Sequence, residues 1–156
     1  FLRDHNDAQS VIDVFNYLEE LFGIETFKEL FPVILNDNGS EFSNPKEIDY
    51  SHLTGEQRTK VFYCESRRSD QKSTCEVNHE MIRRILEKKT SFDNLTQEDI
   101  NLMMSHINSY KRKKLNNSSA LEMFNLMYGN DIAVKLNILE ISSNDINLTP
   151  SLLKRN

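Results

Sequence analysis

Two short runs of branched and aromatic residues constrain this chain most. Val33-Ile34-Leu35 follows Pro32 and breaks at Asn38-Gly39, and Lys60-Val61-Phe62-Tyr63-Cys64 lies between polar stretches. Both are too short for helices and rich in strand-forming side chains, so they predict strands, the first of them buried. Helical periodicity surrounds them. Val11, Val14, Phe15, Leu18, Leu21 and Phe22 recur at i, i+3, i+4 and i+7, and Gly23 ends the run. Alternating helix and strand predicts an α/β layer in the N-terminal part. Residues 43–59 are polar, with Pro45 and Gly55, and predict a long loop; residues 65–73 predict a second.

The remainder reads as helical. A helix over Thr74–Lys88 would bury Val77, Met81 and Ile85, with Ile82 and Leu86. Thr96 and Asp99 form a capping signal for a helix whose apolar stripe is Ile100, Met103, Met104, Ile107 and Tyr110. Ser119 and Glu122 form a second one, before a short helix with Leu121, Phe124 and Met127 inside. Ile132–Leu136 reads as helical and Thr149-Pro150 as the start of a final turn. His79 and His106 lie on helices without a Cys or Asp at triad spacing and read as structural.

The net charge is −5, so any nucleic-acid contact must come from local basic clusters. Arg67, Arg68 and Lys72 make one; Lys111-Arg112-Lys113-Lys114 closes the helix before it and makes another. Basic residues there also have a helix-dipole explanation; together the clusters suit a phosphate-tracking surface. No apolar run approaches the ~20 residues of a membrane span. Cys64 and Cys75, with no secretory signal, read as reduced thiols.

Asp37 stands where the first strand run gives way to a loop, and ligands gather at the carboxyl ends of strands in open α/β sheets. Glu76 lies in the first turn of a helix after the second strand. Two hard oxygen donors suit Mg²⁺ or Mn²⁺, which support phosphodiester chemistry. The competing reading is structural: Asp-Asn-Gly forms turns, and a glutamate in a first turn serves the helix dipole. Glu80 and Arg83 share the Glu76 side of the helix, as a solvated pair or as a phosphate contact at Arg83.

"DNGSEFSNP", "RTKVFYCES", "QKSTCEVNHEMIRRIL", "TSFDNLTQEDINLMMSHINSYKRKKLNN", "EMF" and "INLTPSLLK", in that order, resemble the integrase core of IS-thirty-type bacterial insertion-sequence transposases. The resemblance implies a partial ribonuclease-H-like α/β core over residues 1–115 and a C-terminal helical extension over 116–156. It implies an Asp-Asp-Glu triad binding two Mg²⁺ or Mn²⁺ ions, with the second Asp at Asp37 and the Glu at Glu76, 38 residues apart in between. It carries DNA contacts onto Lys72 and Arg83. The implied partners are insertion-sequence ends, target DNA and further copies of the protein, in the bacterial cytoplasm.

Departures from the family accompany the likeness. The family's first Asp lies several tens of residues before Asp37, and neither Asp4 nor Asp7 replaces it, so an N-terminally truncated core is expected. Without the early strands, Val11, Val14, Phe15 and Leu18 would be partly exposed. Lys89 stands where the family has Gly, Ala120 where it has Pro, Asp70 where it has Trp, and Asn36 where it has Thr. A non-catalytic remnant with residual DNA or transposase binding is the alternative to an enzyme.

Overall fold

The computed structural model describes residues 1–36, 39–64 and 73–153, the side chains of residues 73–76 excepted. The chain is mixed α/β and forms two compact units, the first essentially residues 3–71 and the second essentially 72–156.

In the first unit, helix α1 (Ala8–Phe22) starts on Asp7, whose carboxylate accepts from the Ser10 N–H, and stops at Gly23, with φ at +79°. Helix α2 (Ile24–Leu30) follows directly. Strands β1 (Ile34–Asn36) and β2 (Val61–Tyr63) pair in parallel, with Ile34 opposite Val61 and Asn36 opposite Tyr63. The ladder continues through the Cys64 N–H, which donates to the Asn36 carbonyl at 2.7 Å.

Parallel pairing excludes a tight hairpin between the two strands and demands a crossover. That is why the stretch predicted as a long loop is not one. It contains helix α3 (Pro45–Asp49), which Pro45 opens from the first position, where its missing N–H costs nothing. Ile48 of α3 is buried with Val11 and Ile12 of α1, and Phe15, Ile34, Phe42 and Val61 pack around them.

This packing corrects two expectations, the first of them in part. Val11 and Leu18 of the α1 stripe are buried within their own unit, while Val14 and Phe15 stay partly exposed as expected. The first strand run is not buried as a whole. Ile34 and Val61 face the helices, while Leu35 and Phe62 point the other way and are 44% and 51% exposed. A strand alternates its side chains, and only one face of this pair is covered by α1 and α3.

The centre of the first unit holds an ion pair. Arg58 and Glu19 are fully buried and meet at 2.6 Å. Arg58 also donates to the Ile48 and Glu47 carbonyls, both at 2.9 Å, and its guanidinium lies 5.2 Å from the centre of the Phe27 ring. Ser51 donates to the other Glu19 oxygen at 2.5 Å. Each buried charge therefore has the partners that offset its desolvation.

In the second unit, α4 (Ser73–Ile85) packs against α5 (Gln97–Ser109) through Met81, Ile85, Leu86, Met103 and Ile107. The predicted capping boxes form. Thr96 and Asp99 exchange bonds at the start of α5, and Ser119 and Glu122 do so at the start of α6 (Ala120–Tyr128). Helix α7 is Asp131–Lys135. The predicted final turn is a 3-10 turn over Pro150–Leu153, and Leu148, Leu152 and Leu153 pack on the α4–α5 core.

Three side chains of α5 hold the irregular C-terminal segment. Ser105 accepts from the Leu139 N–H and Ser109 from the Ile141 N–H, each at 3.0 Å; His106 Nδ1 accepts from the Asn147 N–H at 3.1 Å. His106 thus acts in its neutral form, and burial lowers its pKa while Asp145 opposes that shift. Met127, expected inside, is 65% exposed, because α6 buries only the face that carries Leu121.

Candidate nucleic-acid interface

Lys111–Lys114, expected to close a helix, forms a hairpin instead. α5 ends at Ser109, and strands β3 (Lys111–Arg112) and β4 (Ser118–Ser119) pair antiparallel. Between them lies a 3-10 turn over Lys113–Leu115, followed by Asn116 and Asn117 at φ of 54° and 61°. Asn tolerates this left-handed region better than other residues with a side chain. The two asparagines let the chain reverse, and the Asn117 N–H closes the loop on the Arg112 carbonyl at 3.1 Å. Ser119 pairs with Lys111 and also caps α6, so the hairpin is anchored to a helix start.

The four cations have different roles. Arg112 is tied down: it donates to Asn78 Oδ1 at 3.1 Å and to the Ile107 carbonyl at 3.4 Å, bracing the hairpin against α4 and α5. Its partial burial lowers its pKa. Lys111 lies 3.8 Å from Glu122, an exposed pair of little energetic weight. Lys113 and Lys114 are exposed and have no carboxylate within ion-pair distance among the described residues.

A groove of about 660 Å³ runs between this hairpin and α4. Val77 and Met81 of α4 line one side, with Tyr110 and Leu115 beside the four basic residues on the other. Val77 was expected in the core but is 40% exposed, and Tyr110 is 41% exposed. Both occupy positions in the apolar stripes read from the sequence, but among the described residues they stay partly exposed and border the groove. Periodicity does not distinguish a core position from a groove wall.

The remaining predicted site residues are distributed as follows. Asp37 and Lys72 lie outside the described residues. Glu76 is in the first turn of α4, with its side chain also outside them. Arg83 lies on the exposed face of α4, away from buried Met81 and Ile85. Among the described residues, no group of three or more His, Cys, Asp or Glu side chains could hold a metal ion. Among them, too, no helix is long and apolar enough to cross a membrane.

Charge divides between the two parts of the chain. Residues 1–71 carry 7 basic and 14 acidic side chains, a net of −7; residues 72–156 carry 12 and 10, a net of +2. The whole-chain value of −5 conceals this division. Counting charge by segment would have exposed it from sequence alone. No family model, curated protein or solved structure matches the chain.

Proposed function

We propose that the chain contributes to the catalytic core of an Asp-Asp-Glu DNA transposase with a ribonuclease-H-like fold. The observation that carries this reading is the parallel β1–β2 pair, whose first strand leads directly into Asp37. Carboxyl ends of parallel strands are where α/β proteins place their chemistry. The ordered motif likeness and the basic second unit add to it.

In this reading Asp37 and Glu76 are the acidic residues of the reaction, cleavage at insertion-sequence ends and joining of the 3′-hydroxyl to target DNA. Both offer hard carboxylate oxygens, the donor chemistry that Mg²⁺ and Mn²⁺ take. What such ions supply is activation of the attacking oxygen and stabilisation of the leaving one. Lys72, Arg83 and the Lys111–Lys114 hairpin meet phosphates, and several copies act together on the DNA.

The alternative is a non-catalytic remnant that retains DNA or transposase binding. One observation favours it. Lys89, at a position where the family has Gly, has φ at +74°, a conformation that disfavours any residue with a Cβ. A turn that keeps a glycine backbone without its glycine is what relaxed selection leaves.

Without the family's first Asp this chain is expected to be inactive alone. The test is therefore cleavage of insertion-sequence-end DNA by a protein that joins the chain to a core segment supplying that Asp, and by the Asp37→Asn and Glu76→Gln variants of that joined protein. Loss of a supporting residue at a metal site already costs 10–100-fold, so either change is expected to cost more than about a hundred-fold. DNA binding should stay near the wild-type value. Near-normal cleavage by either variant would remove that residue from the site. DNA binding without cleavage by the joined protein would favour the remnant.

A further inference from the structure

The groove between α4 and the β3–β4 hairpin combines two surfaces that duplex DNA does not use together. Val77, Met81 and Leu115 give it an apolar wall, and Tyr110 adds an aromatic ring. Its rim carries Lys113 and Lys114, exposed and without carboxylate partners among the described residues. Arg112, bonded to Asn78 and the Ile107 carbonyl, holds the rim in place.

We propose that this groove binds an unpaired segment of nucleic acid, with a base against Tyr110 and the apolar wall and the flanking phosphates on Lys113 and Lys114. The chemistry favours that ligand. A duplex presents phosphates and sugars outward and keeps its base faces stacked, so it can satisfy the lysines but not the apolar concavity. An unpaired strand brings both a planar base face and a phosphate chain. The volume of about 660 Å³ lies in the range of pockets that enclose small ligands. The inference rests on the nucleic-acid reading above but needs neither Asp37 nor Glu76.

The experiment is fluorescence anisotropy with the full chain, a labelled twelve-nucleotide single strand and the blunt duplex of the same sequence. The single strand should bind more tightly than the duplex. Tyr110→Ala should weaken single-strand binding by about 5- to 150-fold, the range for losing one stacked base, while Tyr110→Phe keeps it. Duplex affinity should stay within about two-fold, since its phosphate contacts are untouched.

Val77→Glu is the second variant. It adds a charge at a half-exposed position of a helix that accepts Glu, so the fold is kept, as circular dichroism would verify. It should reduce single-strand binding as Tyr110→Ala does. Equal or tighter duplex binding, or wild-type single-strand binding by both Tyr110→Ala and Val77→Glu, would overturn the inference. So would displacement of the strand by poly-glutamate at equal charge concentration, which would mark a surface that reads charge alone. Duplex binding without single-strand binding sinks this inference and spares the DNA reading; binding of neither sinks both. Single-strand binding by this chain, with no cleavage by the joined protein, sinks only the catalytic reading.

Discussion

The two units treat charge in opposite ways. The acidic first unit buries its decisive charges: Glu19 and Arg58 meet at 2.6 Å in its interior, surrounded by carbonyls, Ser51 and the Phe27 ring. The second unit packs an apolar core from α4 and α5 and leaves Lys113 and Lys114 in solvent beside a groove. Buried charge of this kind holds a particular arrangement of chain segments together, because neither partner tolerates losing the other. Exposed charge contributes little to stability and is available to a ligand. Structural duty falls to the ion pair of the first unit, and the lysines of the second carry the recognition proposed above.

The largest way to break the comparison is Glu19→Ala. It leaves Arg58 buried without its carboxylate, and the expected loss is about 3–5 kcal/mol. Urea unfolding with hydrogen exchange at the α1 and α3 amides reads it. A loss below about 1 kcal/mol, the level of an exposed pair, would show that the ion pair does not hold the first unit together.

Next comes charge removal on the hairpin. Lys113→Gln with Lys114→Gln should lower the slope of log affinity for DNA against log salt by about 1.8, two phosphate contacts' worth. Between 50 and 200 mM salt that is a change of roughly ten-fold in the salt effect. An unchanged slope would take the hairpin off the DNA surface.

Lys89→Gly should stabilise the protein by about 1 kcal/mol, since it relieves the cost of a left-handed residue with a Cβ. A thermal melt measures it, and a destabilised variant would mean that the lysine side chain offsets its own strain.

The smallest effect depends on pH. His106 has a lowered pKa in the folded chain, because burial disfavours its charged form and Nδ1 accepts from the Asn147 N–H. The unfolded chain therefore binds a proton first as pH falls. The contribution of His106 is complete above its ordinary value of 6.5 and is lost as pH drops through the lowered folded value. Melts from pH 7.5 downward should show this decline in the wild type and a flatter profile in His106→Gln. Equal slopes would remove His106 from the pH response.

Much of the fold was legible where local rules act alone. The Gly23 end of α1, the capping boxes at Thr96 and Ser119, and both strands follow from side chains within a few residues of one another. The helix α3 was missed because its five residues are too short to show a period, and only the parallel crossover requires it. The Glu19–Arg58 pair was missed because its partners are 39 residues apart. A faint signal existed, since Glu19 lies beside Phe15, Leu18 and Phe22 on an otherwise apolar face.

The site divides in the same way. Lys111–Lys114 was legible as a charge cluster, yet its hairpin geometry and the different duties of its four cations come from bonds to Asn78, Ile107 and Glu122. Sequence alone determined the element types, the caps and the inventory of charges, because propensity and capping depend on neighbours along the chain. Tertiary structure decided that Val77 and Tyr110 line a groove instead of a core and that Arg58 is interior. Burial depends on what another segment brings to the same place, and no local pattern carries that information.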